Sequence, residues 1–114
     1  MMCDMASLNR ITEKVVNAAK ENLGKKLDKV ILYGSYARGD YNDESDIDIL
    51  ILADIPLKNR WREREKIREI IGRIDMDYDV VLCLSVVDSD TFNKYLPVEP
   101  FYTNVLKDGL ILSA

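Results

Sequence analysis

Histidine is absent from this 114-residue chain. That excludes Ser-His-Asp triads, His-ligated zinc and histidine general bases, so any acid–base or metal chemistry must run on carboxylates. Cysteine is scarce: Cys3 lies beside the N-terminus and Cys83 sits inside the apolar run Val80-Val81-Leu82-Cys83-Leu84. Such a pair reads as one core thiol and one incidental thiol, and the expected compartment is the cytosol. No apolar run approaches the ~18 residues that a membrane span needs, and Met1 to Ser7 lacks the apolar centre of a signal peptide. A basic tail is missing too. Sixteen Lys and Arg are dispersed among twenty Asp and Glu for a net charge of −4, which argues against an extended nucleic-acid-binding face.

What is present suffices for one compact domain spanning residues 1–114, since 47% of the residues are hydrophobic and the length supports a single core without staples. Leu8, Ile11, Val15, Ala18, Ala19 and Leu23 recur at helical spacing, and Gly24 follows where a helix-terminating glycine belongs. Lys29 to Tyr33 is a short β-branched and aromatic run, hence a strand. Asp46 to Leu52 alternates, with Asp46, Asp48, Leu50 and Leu52 on one face and Ile47, Ile49 and Ile51 on the other; both faces turn apolar after Asp48, which predicts a central strand. After Pro56, the residues Leu57, Trp61, Ile67, Ile70, Ile71 and Ile74 can share one face of an amphipathic helix, and its charge run reads as a solvated face. Asp77 to Leu84 is expected to form a third strand. Phe101 to Lys107 predicts a short helix and Gly109 to Leu112 an edge strand, with Pro97 and Pro100 punctuating the approach. Strands thus alternate with helices in an α/β arrangement, with the acidic residues at strand ends.

The stretch Gly34 to Leu50, GSYARGDYNDESDIDIL, carries the chemistry. Its opening G-x-x-x-x-G has P-loop spacing, but Asp40 and Tyr41 stand where a P-loop needs Lys and Ser or Thr. A calcium loop fails as well, with Ser45 in place of the turn glycine and Ile51 in place of the closing glutamate. There remains the pair Asp46 and Asp48, roughly 6.5 Å apart on one strand face with side chains pointing the same way. Two such carboxylates repel each other and lose solvation beside an apolar sheet, a conflict that a divalent cation resolves. Magnesium suits hard oxygen ligands, and paired ions are a recurring device for displacement at phosphorus. A third carboxylate would complete such a site. Asp79 is the preferred candidate, deepest on its expected strand, while Asp77 and Asp75 share its parity. Ser35 offers a hydroxyl and an N–H, a helix starting at Tyr36 would attract phosphate, and Gly34 would let backbone approach it closely. Arg38 can bind phosphate or hold the loop through Asp40.

Gly34-Ser35, then Ala37-Arg38-Gly39-Asp40, then Ser45-Asp46-Ile47-Asp48 resembles the signature of the DNA polymerase beta-like nucleotidyltransferases, in particular their minimal single-domain members. The resemblance spans most of the chain, including the closing Phe101 to Leu112 segment. It implies a small central mixed sheet flanked by helices. It also implies that Gly34 and Ser35, with Arg38 nearby, hold the triphosphate of a nucleotide such as ATP, that Asp46 and Asp48 bind two Mg²⁺ ions, and that Asp79 completes the site and helps activate an acceptor hydroxyl. The implied reaction transfers a nucleoside monophosphate, with release of pyrophosphate. Minimal members are similar to antitoxin partners of HEPN-domain toxins, small helical ribonucleases silenced by AMP added to a tyrosine, so the resemblance implies such a partner in a homo- or hetero-oligomer. A non-catalytic binding module and a transferase acting on a small molecule such as an aminoglycoside are the alternatives.

Overall fold

The computed structural model describes residues 4–113 apart from Pro56 and Asp79. A first helix, α1 (Met5–Leu23), is capped by Asp4, whose carboxylate accepts from the Ser7 N–H at 2.7 Å. It buries the predicted stripe of Leu8, Ile11, Val15, Ala19 and Leu23. The chain then enters β1 (Leu27–Tyr33), makes a single helical turn, α2 (Ser35–Arg38), and returns through β2 (Ile47–Ala53). A 3₁₀ turn at Leu57–Asn59 leads into α3 (Arg60–Tyr78). There follow β3 (Leu82–Asp88), α4 (Ser89–Tyr95), α5 (Pro100–Asp108) and β4 (Leu110–Ser113).

The four strands form one mixed sheet in the order β3-β2-β1-β4. Pairing is antiparallel between β1 and its neighbours β2 and β4, and parallel between β2 and β3. The period-two alternation of strands assigns the two faces. On one face Val30, Leu32, Ile47, Ile49 and Ile51 pack against α1 and against Ile67, Ile71 and Ile74 of α3. On the other, Ile31, Leu50 and Leu52 meet Phe92 of α4 and Val105 of α5. Because β2 contributes apolar side chains to both layers, it lies inside the sheet, as its sequence predicts.

Two expectations are corrected. The third strand starts at Leu82, not at Asp77, and α3 runs on through Tyr78, so Asp75 and Asp77 belong to the last turns of a helix. The cause is the helical stripe: Ile67, Ile71 and Ile74 are buried and Tyr78, four residues further, packs on the same core, which outweighs the local alternation of acids. Trp61 is not on that buried face; it is 73% exposed. The segment after Asp88, which carries only weak signals, folds as α4. Asp88 is its cap, accepting from the Thr91 N–H at 3.2 Å while its other oxygen accepts from the Ile55 N–H at 3.1 Å. No helix among the described residues is long and apolar enough to cross a membrane.

Candidate active site

Strand register brings the signature residues together. Tyr33, the last residue of β1, lies opposite Asp48, near the start of β2. Gly34, one residue later, has φ +76°, and a Cβ built there would collide with Asp48 Oδ2 and lie 3.2 Å from its Cγ. The glycine therefore leaves the space that the Asp48 carboxylate fills, a requirement that sequence spacing alone does not show. After Gly34 the chain turns into α2, with the N–H groups of Ala37 and Arg38 bonded to Gly34 O at 3.1 and 3.0 Å. Gly39 closes that turn in the left-handed conformation, φ 89° and ψ 6°.

The loop between α2 and β2 is braced at both ends. Tyr36 is buried and stacks on Tyr41, with ring centroids 4.3 Å apart and planes 9° from parallel. Asn42 Oδ1 accepts from the Glu44 N–H at 2.8 Å, an Asx turn that sets the path into Asp46. Asp43 and Glu44 are exposed loop residues.

Asp46 is exposed just before β2, and Asp48 is half-buried within it. Burial and then the neighbouring Asp46 carboxylate raise the Asp48 pKa above the ordinary carboxylate value. Cys83, level with Asp48 on the parallel strand β3, donates its thiol to Asp46 Oδ2 at 3.4 Å. Burial first, and then Asp46, push that thiol up to about 11, so it stays protonated at neutral pH. Burial also raises the Tyr33 hydroxyl. Two hard-oxygen donors, one of them held against its charge, make a donor set that a divalent cation fits. Among the described residues no group of three or more Asp, Glu, Cys or His side chains is arranged to hold a metal. The predicted third carboxylate, Asp79, lies outside the described residues.

Arg38 pairs with carboxylates here: its Nε lies 3.1 Å from Asp40 and its Nη1 3.9 Å from Asp108. The Asp40 pair is exposed and the Asp108 pair half-exposed, and pairs of this kind bind weakly and yield to a more highly charged anion. Gly34, Ser35, Arg38 and Asp48 share one cleft of about 340 Å³ with Phe101, Asn104 and Asp108 of α5. Motif reading did not find this α5 wall. Its signal is the i, i+3, i+7 spacing of residues 101, 104 and 108 on one helix face.

A glycine turn packed on a half-buried carboxylate leads into an Asp-x-Asp segment entering a mixed four-stranded sheet. The family model for the nucleotidyltransferase domain matches residues 12–108, and the chain belongs to that family. A Methanocaldococcus jannaschii protein provisionally named a protein adenylyltransferase is 37% identical over 100 residues, 88% of this chain and 92% of that protein. The protein adenylyltransferase MntA of Shewanella oneidensis is 35% identical over 79 residues, 68% of this chain and 52% of its own length. In fold, the chain is similar to a crystal structure of a toxin-antitoxin with AMP-PNP, with a TM-score of 0.57 and 23% identity over 90% of this chain and 73% of that one. The chain is a nucleotidyltransferase.

Proposed function

We propose that the chain transfers AMP from ATP to a tyrosine hydroxyl of a small helical toxin of the HEPN type, releasing pyrophosphate and acting as the antitoxin. The observation that supports the transfer chemistry is the Asp48 carboxylate set against the Gly34–Ser35 turn at one cleft, with Asp46 two residues before it at the entry to β2. The acceptor and the antitoxin role rest on the names of the relatives and on the resemblance in the signature.

In this reading the Gly34–Ser35 turn and Arg38 bind and orient the triphosphate, Arg38 exchanging its carboxylate partners for phosphate oxygens. Asp46 and Asp48 hold two Mg²⁺ ions, which when bound supply positive charge for the phosphate oxygens. The acceptor oxygen forms a bond to the α-phosphorus while the bond from that phosphorus to the bridging oxygen breaks. Pyrophosphate carries away the electron pair, and Asp79 receives the hydroxyl proton. Incubation with α-labelled ATP, Mg²⁺ and the helical protein encoded beside this chain tests the assignment. Label is expected on the partner with the wild type, and at least about 100-fold less with Asp46→Ala or Asp48→Ala. Equal labelling by all three proteins would refute it.

A second reading, neutralisation by contact alone, is favoured by the exposed Trp61 and Tyr95, 73% and 46% accessible. Toxin inhibition that survives Asp48→Ala would select it.

A further inference from the structure

The metal and phosphate chemistry uses only one wall of the cleft. The other wall is α5, whose Phe101, Asn104 and Asp108 face the Gly34–Ser35 turn and Asp48 across about 340 Å³, a volume in the range of small-ligand sites. Val105, between them, is buried in the core and fixes how the helix faces the cleft. Phe101 is 40% exposed and rests edge-on against Tyr33, ring centroids 5.5 Å apart and planes at 81°. Asp108 is turned toward Arg38. Asn104, by contrast, is exposed, and its carboxamide has no hydrogen-bond partner among the described residues.

We propose that this wall is the nucleobase site and that Asn104 is the residue that selects adenine over guanine. The inference rests on the nucleotidyl-transfer reading, which puts the triphosphate at the Gly34–Ser35 turn and the α-phosphate near Asp48. The nucleoside is tethered to that α-phosphate, and α5 is the surface that the same cleft offers it. Phe101 supplies a flat apolar platform, and stacking on such a ring is indifferent to which base is bound. Discrimination then needs a polar group. A carboxamide presents one donor and one acceptor side by side. Adenine matches it with the N6 amino group and the N7 acceptor, whereas guanine offers two acceptors, O6 and N7, on the same edge and leaves the carboxamide oxygen facing O6.

The test is calorimetric titration of the full chain with Mg²⁺ and three ligands: the α,β-methylene analogues of ATP and GTP, in which the scissile bridge is blocked, and inorganic tripolyphosphate. The wild type is expected to prefer the ATP analogue by about 5- to 150-fold, as one bidentate base contact allows. Asn104→Ala and the volume-preserving Asn104→Leu should bring that ratio to about one while tripolyphosphate affinity stays unchanged. A ratio that persists in both variants, or that is already near one in the wild type, overturns the assignment and leaves nucleotidyl transfer standing. A wild-type chain that binds neither nucleotide analogue nor tripolyphosphate overturns both.

Discussion

Replacing Gly34 by alanine tests whether the signature glycine is there for Asp48. Two penalties add. The backbone at φ +76° and ψ −156° lies in a region that side-chain-bearing residues avoid, at about 1–3 kcal/mol. The new methyl would press on the Asp48 carboxylate and lie 3.2 Å from its Cγ, an overpacking cost of about 1–3 kcal/mol. Stiffening the unfolded chain returns about 0.4–1 kcal/mol. The net is about 3 kcal/mol, or about 12 °C in melting temperature for a domain of this size. Gly39→Ala is the internal standard, because Gly39 also has positive φ, +89°, yet nothing lies within 4 Å of its would-be Cβ. It should cost about 1 kcal/mol, roughly 4 °C, from the dihedral alone. In an Asp48→Ala background the Gly34→Ala penalty should shrink toward that value, giving a coupling of about 2 kcal/mol in a double-mutant cycle. Thermal melts of the four proteins and their double mutant decide it. If Gly34→Ala melts with Gly39→Ala, or costs the same with and without Asp48, the glycine does not serve the carboxylate.

Other outcomes follow from the same geometry. Asp48, with a pKa raised above its unfolded value by burial and by Asp46, opposes folding once ionised; its contribution is intact below the unfolded value of 3.8 and is lost as pH rises through the folded pKa. In EDTA, Asp48→Asn should therefore melt higher than the wild type at pH 7 and alike near pH 3; a lower melting point at pH 7 would contradict this. Asp88→Ala removes both the α4 cap and the partner of the Ile55 N–H and should cost about 2 kcal/mol while leaving Mg²⁺-nucleotide affinity unchanged, as paired denaturation and calorimetry can show. In metal-free protein at pH 8, Cys83 should alkylate about two orders of magnitude more slowly than a free thiol, because its pKa is pushed up to about 11; peptide mapping of an iodoacetamide time course reads this directly.

The helices and strands that repeat one pattern long enough were legible. The stripe of α1 and the two-faced alternation of Ile47 to Leu52 place both core layers from sequence alone, since each side chain's direction follows from the period of its element. Where two periods competed, local reading lost: the acids at 75, 77 and 79 alternate like a strand, but Ile67, Ile71, Ile74 and Tyr78 carry the longer helical register into the core. Asp48, Gly34 and Ser35, which line one cleft, were legible as neighbours because they sit within fifteen residues. The α5 wall was not, because Asn104 and Asp108 reach the cleft through the packing of Val105 on the sheet and the β4–β1 pairing, which no short window contains. The second demand on Gly34, room for Asp48, was not legible, since that neighbour in space is fourteen residues away in sequence.

That β1–β4 pairing sets more than topology. The turn carrying Gly34 grows from the end of β1, and α5 runs into β4 through Gly109, where a Cβ would collide with Val105 O and meet Ile31. Both jaws of the cleft are thus bolted to one antiparallel ladder, in which Leu32 faces Leu110 and Ile31 faces Ile111. The gap between them is gauged by strand registry, like the throat of a fixed calliper. On the proposed function a nucleotide would be admitted by fitting that gap, and a shift of the ladder by one residue would regauge the choice without touching any residue inside it.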